Sequence, residues 1–214
     1  MEKNPALSPG FDFAQFEKFA NDLETRFYSV IPNAVNPDLL DSMYAHFEGL
    51  TDQDFQRAGV GRGAESVRNQ FVRRNSICWH NPEDPRAREW FDWIEEIRTF
   101  LNRRLFLGAT SFESHFTRYD KDDFYRRHMD AFLGQRNRIV SLVTYLNNGW
   151  QPDQGGELVL YPKDADPVRV TPEAGTLVLF MSEELPHEVL PSCRTRFGVA
   201  GWFRIDAADV VQTG

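Results

Sequence analysis

Residues 175–204 read GTLVLFMSEELPHEVLPSCRTRFGVAGWFR, and their texture decides the architecture. The runs 175–180, 186–190 and 196–205 are β-branched or aromatic, short, and separated by Pro, Ser and polar residues, which is the signature of strands. Upstream, residues 111–119, 138–147, 157–161 and 167–170 have the same character, punctuated by Gly, Pro, Asp and Asn. Alternation along 196–203 puts Arg196, Gly198, Ala200 and Trp202 on one face and Phe197, Val199, Gly201 and Phe203 on the other.

Before residue 107 the periodicity is helical instead. Phe13, Phe16, Phe19, Ala20 and Leu23 recur at helical spacing, and a short strand is expected from Phe27 to Ile31. Asn36-Pro37 reads as an N-cap and first helical residue of a helix running to about Phe47. Asp84-Pro85 repeats that signal ahead of Trp90, Phe91, Trp93, Ile94, Ile97, Phe100, Leu101 and Leu105. Between them lies the polar, Gly/Arg-rich segment 51–75, a length of loop that compact domains usually keep for function. Helices followed by many short strands predict an α+β chain, a double-stranded β-helix (jelly roll) buttressed by N-terminal helices. The expected organisation is one domain over 1–214, with helical support and a substrate loop in 1–106 and a catalytic core in 107–206.

Composition narrows the function classes. The net charge is −8 and the pI about 5.2, which disfavours free nucleic acid or an anionic membrane as partner. No run approaches the length of a membrane span, and the opening MEKNPALSPGFDF has no secretory pattern. Cys78 and Cys193 stand in no metal or redox spacing, so a reducing, cytoplasmic setting is expected.

His128-Met129-Asp130 carries the chemistry. In an extended segment residues two apart share a face, so both side chains can reach one ion. His187, on a different predicted strand, completes two imidazoles and one carboxylate. That set leaves coordination positions open and belongs to non-haem Fe(II) oxygenases, whereas a structural zinc site is closed by four ligands. Arg196 sits among small residues, and a buried guanidinium there requires an anion, a bidentate carboxylate being the natural partner. Arg194 shares its parity, but Arg196 lies deeper in the strand. Tyr145 could offer its hydroxyl to the same carboxylate or be an ordinary core tyrosine. Tyr119 and Tyr125 lie just upstream of the metal pair, and His115 shares the parity of Tyr119. His46, His80 and His115 read as surface or satisfied histidines, with reach to the site rim as the alternative for His115.

The stretch 73–204 resembles the prolyl-hydroxylase-type branch of the Fe(II)/2-oxoglutarate-dependent dioxygenases, which includes the hypoxia-type prolyl hydroxylases and their bacterial relatives. The matching text is Tyr119…Phe124-Tyr125-x-x-His128-x-Asp130, Tyr145-Leu146-Asn147-x-x-Trp150, Gly155-Gly156-Glu157-Leu158, Pro172-x-x-Gly175, His187-Glu188-Val189-x-Pro191 and Arg196…Gly201-Trp202-Phe203. The resemblance implies iron at His128, Asp130 and His187, and the distal carboxylate of 2-oxoglutarate at Arg196 and Tyr145. Tyr119 would stand near the cosubstrate, with Leu158 and Trp202 walling the pocket. It further implies O2 as oxidant, ascorbate as a candidate reductant, and hydroxylation of a C–H bond, foremost a prolyl residue of a protein or peptide substrate, with release of succinate and CO2.

One departure bears on the substrate side. The hypoxia-type enzymes carry an Arg-x-Asp pattern where this chain has Arg73-Arg74-Asn75, so Arg73, Asn75 and Tyr125 are the candidate substrate contacts and proline as target is open to question. Arg57, Arg62, Arg68, Arg73 and Arg74, with Arg126, Arg127, Arg136 and Arg138, are expected to form a basic rim or to be simply solvated, and Gly59, Gly61 and Gly63 to give a flexible lid. Competing readings are a non-catalytic iron- or oxygen-sensing binding protein and a hydroxylase of a free amino acid or other residue. Nucleic-acid demethylation is disfavoured, because Gly198 and Trp202 occupy positions where the repair-type dioxygenases carry Asn and Arg.

Overall fold

Apolar stripes and alternation sort the chain into helices backing a β-rich core. The computed structural model describes residues 12–59, 71–131 and 137–205. Helix α1 (Phe13–Arg26) is capped by the Asp12 carboxylate, and α2 (Pro37–Glu48) by Asn36, whose side chain accepts from the Leu39 N–H. Helix α3 (Arg88–Leu105) presents Trp90, Trp93, Ile94, Ile97 and Leu101 to the core. Asp84 caps a 3-10 turn, Pro85–Ala87, that leads into α3. Phe27 is a left-handed helix cap at φ 67°, so strand β1 (Tyr28–Ile31) starts one residue later than its composition suggests.

The strands form two antiparallel sheets, open rather than closed into a barrel. The larger has the order β1-β9-β6-β11-β4-β3-β2, with β2 (Gln56–Arg57), β3 (Ser76–Trp79), β4 (Ser111–Tyr119), β6 (Arg138–Tyr145), β9 (Leu177–Met181) and β11 (Arg196–Arg204). The smaller runs β5-β10-β7-β8, with β5 (Tyr125–His128), β7 (Leu158–Leu160), β8 (Val168–Val170) and β10 (His187–Val189). The expected strands after residue 110 are all present. The 51–75 segment is not all loop, since β2 pairs with β3 there, while residues 60–70, with Arg62, Arg68, Gly61 and Gly63, lie outside the described residues.

Period-2 alternation gives the large sheet two apolar faces. One packs on the helices, where Phe16, Phe19, Ile94, Ile97 and Leu101 meet Val140, Leu142, Leu179 and Val199. The other packs on the small sheet, where Tyr145, Val178 and Phe180 meet Leu158, Leu160 and Val189. Residues 72–74 leave the large sheet and run beside β5: the Arg126 N–H donates to the Val72 carbonyl at 2.9 Å and the Arg74 N–H to the Phe124 carbonyl at 3.0 Å. None of the described helices is long and apolar enough to cross a membrane.

Neutral histidines are part of this packing. Burial pushes His80 down to about 3, with His46 adding to the effect and Asp84 opposing it. Burial likewise holds His115 well below its ordinary value, helped by Arg73, His80 and Arg138. Below pH 6.5 the unfolded chain takes up protons that the folded chain refuses, so this stability is present above pH 6.5 and lost as pH falls toward 3. Each such histidine adds a slope of up to about 1.4 kcal/mol per pH unit. Thermal stability should therefore fall from about pH 6.5 toward pH 4.5, and less steeply in His80→Gln; identical slopes would discount the histidines.

Candidate active site

The two sheets meet over a cavity of about 610 Å³ whose wall includes His128, Asp130 and His187. His128 ends β5 and His187 begins β10, and the two are register partners. Asp130 lies two residues beyond the end of β5, in a bend, and its carboxylate reaches the same point as the two imidazoles, as the His-x-Asp spacing leads one to expect. Oδ1 of Asp130 is 3.5 Å from Nε2 of His128, and its Oδ2 is 3.7 Å from Nε2 of His187. Ligand atoms of the three residues lie within 4.8 Å of one another, the single such cluster among the described residues.

Tautomers follow from the partners. Nδ1 of His128 sits 2.8 Å from the Arg126 carbonyl, and Nδ1 of His187 sits 3.1 Å from the Leu185 carbonyl. A carbonyl only accepts, so both Nδ1 atoms carry the proton and both Nε2 lone pairs face inward. Burial pushes His187 down to about 4 against the opposing pull of Asp130, so it is neutral at pH 7. For Asp130 burial acts to raise the pKa, but the imidazoles of His187 and His128 and the Ser141 hydroxyl outweigh it and hold the carboxyl well below its usual range. Two neutral nitrogens and one carboxylate are the donor set that Fe(II) takes with positions left open, so the residues fit that ion.

Two contacts to Asp130 were not legible beforehand. Ser141 Oγ donates to Asp130 Oδ2 at 2.7 Å, and Trp202 Nε1 donates to the same oxygen at 2.9 Å. Trp202 was expected as a pocket wall, and it is one, but its indole also orients the carboxylate. Trp202 and Ser141 are register partners across β11 and β6, so their shared parity is the signal that could have paired them.

Arg196 opens β11 with only 2% of its surface exposed, whereas Arg194 is exposed. Its guanidinium lies 5.0 Å from the ring centres of both Tyr119 and Tyr145. Arg196 Nε and the Tyr145 hydroxyl are both buried without a hydrogen-bond partner. Burial raises both tyrosine pKa values despite the nearby cation, so both phenols keep their protons. A buried cation with no carboxylate partner among the described residues, beside a protonated phenol, fits a carboxylate. A Cβ at Gly198, the register partner of Tyr145, would stand 2.6 Å from the Thr144 carbonyl, so only glycine lets β11 close on β6 here. Leu158, Tyr119, Arg196 and Trp202 line the cavity; Tyr145 flanks Arg196 without forming part of the wall.

On the substrate side, Arg73 and Tyr125 line the cavity and Asn75 does not. The pairing that the Asp-to-Asn departure put in question forms with a neutral acceptor: Arg73 Nε donates to Asn75 Oδ1 at 2.5 Å. The Arg73 guanidinium lies 4.6 Å above the Tyr125 ring, which stacks in turn on His128 at 3.5 Å. Burial pushes the Tyr125 phenol up to about 12. His115 is buried and also lines the cavity, and His46 and His80 are satisfied within the fold rather than on its surface. The basic rim is largely engaged: Arg57 pairs with Asp123, Arg126 donates to the Phe71 carbonyl, Arg127 stacks on Tyr161 and Arg138 pairs with Glu113. Arg136 lies outside the described residues.

Residues 114–204 match the 2OG-Fe(II) oxygenase superfamily. The chain is 34% identical to a crystal structure of a Pseudomonas putida prolyl-4-hydroxylase, covering 90% of this chain and 100% of that one with a TM-score of 0.81. A Trichoplax adhaerens prolyl hydroxylase in complex with a hypoxia inducible factor peptide fragment shares the fold, at TM-score 0.77 and 24% identity, over 89% of each chain. A hypoxia-inducible factor prolyl hydroxylase of Caenorhabditis elegans is 28% identical over 62% of this chain, which spans 20% of that relative's length. With the histidine–carboxylate cluster and the buried arginine at the matching motif positions, the chain belongs to the 2OG-Fe(II) oxygenase superfamily, in its prolyl-hydroxylase-type branch.

Proposed function

We propose that this protein hydroxylates a prolyl residue of a protein or peptide substrate, using Fe(II), 2-oxoglutarate and O2 and releasing succinate and CO2. The observation that carries the reading is that Arg196, buried beside Tyr145 and with its Nε unpartnered among the described residues, lines the same cavity as the His128–Asp130–His187 cluster. When bound, the iron and the keto acid supply the oxidising power for insertion of oxygen into the C–H bond.

The chain's own part is binding and positioning. His128, Asp130 and His187 hold the metal. Arg196 and Tyr145 take the distal carboxylate, Tyr119 flanks it, and Leu158 and Trp202 exclude water from it. Arg73 and Tyr125 face the substrate, and the Arg73–Asn75 hydrogen bond preserves the side-chain pairing of the Arg-x-Asp pattern, which supports proline as target. A substrate of polypeptide rather than nucleic-acid class is supported by the acidic balance of the chain. The free thiols Cys78 and Cys193 support a reducing compartment such as the cytoplasm, and helices packed directly on the large sheet support one domain.

The test is an anaerobic titration of the metal-free protein with Fe(II) and 2-oxoglutarate, followed by a panel of proline-containing peptides read by mass spectrometry for one added oxygen. A visible metal-to-ligand charge-transfer band, absent in His128→Ala, is expected. Folded protein that gives no band would overturn the assignment, and a band with turnover only on free amino acids would overturn the peptide substrate.

A further inference from the structure

Glu113, Trp202 and Ser141 form one row across the large sheet, as consecutive register partners on β4, β11 and β6. Two members of that row donate to Asp130. The third is a carboxylate that gathers two cations: Arg138 Nη2 approaches Glu113 Oε1 at 2.6 Å and its Nε approaches the same oxygen at 3.0 Å, while Arg204 Nη1 reaches Oε2 at 2.9 Å. Fixed in this way, and with only 14% of its side chain exposed, the Arg138 guanidinium lies 3.5 Å from the centre of the Trp202 indole.

We propose that Arg138 is a positioning residue for the metal site, acting on Asp130 through Trp202. This rests on the reading that Asp130 holds iron. A cation on the face of an indole is attracted by the ring's negative quadrupole and draws density from it. The ring N–H becomes a stronger donor, and in a site of low dielectric such hydrogen bonds polarise one another. Arg138 thus does two things at once. It locks the indole plane, and it strengthens the hydrogen bond that fixes which carboxylate oxygen is occupied. Glu113 compensates the charge of Arg138 and keeps the guanidinium flat on the ring. Two of the three guanidinium nitrogens of Arg138, which also lines the cavity, are engaged by Glu113 while its plane lies on Trp202. A lysine would keep the charge but not the planar stack or the two-nitrogen grip on Glu113.

The experiment compares wild type with Arg138→Met and Arg138→Lys in two ways. Two-dimensional NMR of metal-free protein follows the Trp202 indole N–H, assigned by its disappearance in Trp202→Phe. Anaerobic competition against a chromophoric chelator gives the Fe(II) dissociation constant, with thermal unfolding as the check on folding. The indole proton should move upfield in Arg138→Met and part of the way in Arg138→Lys, and Fe(II) affinity should fall by about 10–100-fold in Arg138→Met, as for the loss of other outer partners of metal ligands. An unmoved indole resonance, or an unchanged Fe(II) constant with a raised peptide KM, overturns the proposal. If Arg138→Met fails to fold, Arg138→Lys decides by the same readouts. Wild type that binds no Fe(II) defeats the functional reading instead, while the indole shift still reports whether Arg138 governs the Trp202–Asp130 bond.

Discussion

Arg196→Ala is expected to weaken 2-oxoglutarate binding by about 100- to 4000-fold while leaving Fe(II) binding in place. The magnitude follows from breaking a buried ion pair from one side, which costs about 3–5 kcal/mol, and each 1.4 kcal/mol is tenfold. Arg196 is 2% exposed and lies between Tyr119 and Tyr145, so its loss leaves neutral phenols alone to hold the carboxylate. Arg194 is exposed and stacks on Trp150. Arg196→Lys should recover only part of the loss, since an ammonium cannot make the paired contacts of a guanidinium. Truncation should also cost the ligand-free protein little stability, because it removes a buried cation that has no carboxylate partner among the described residues. Titration of the Fe(II)-loaded variant with 2-oxoglutarate, beside its melting curve without ligand, checks both statements. Wild-type affinity in Arg196→Ala would remove the arginine from the site.

His187→Ala should abolish the stabilisation that Fe(II) confers. Ligand bound at 100 times its dissociation constant stabilises a fold by about 2.7 kcal/mol, and the melting temperature of wild type should rise accordingly under anaerobic Fe(II). His187 is 5% exposed, neutral, and fixed by its Nδ1–H on the Leu185 carbonyl, so its Nε2 is pre-aimed at the metal without cost. Without it two ligands remain, and the loss in affinity should exceed the roughly 100-fold upper range seen when mere outer partners are removed. Equal Fe(II)-induced shifts in wild type and variant would place the metal elsewhere.

Local rules carried much of this architecture into the sequence. Asn36-Pro37 announces α2 because capping involves only neighbouring residues, and the alternation of 196–204 announces β11 because pleating has a period of two. The cluster was readable because His128 and Asp130 are close in the chain and His187 stands in a recognisable strand. What escaped reading depends on register across distant segments. The pairing of β2 with β3 lies in a polar stretch with no alternation to mark it. Arg138 looked like one more rim arginine, because its partner Glu113 is brought beside it only through β11.

Strand β5 is gripped on both sides. His187 faces His128 across one edge, and residues 72–74, which carry Arg73 toward the cavity, are bonded along the other. Under the proposed function, a peptide drawing on Arg73 and an ion drawing on His128 would load the same four residues, like two hands on one rung. Thermodynamic linkage makes such sharing symmetric: whatever factor the peptide adds to the grip on iron, iron must return to the grip on the peptide. Under the proposed function, scarcity of the metal would then alter how the chain engages its substrate, before any oxygen is consumed.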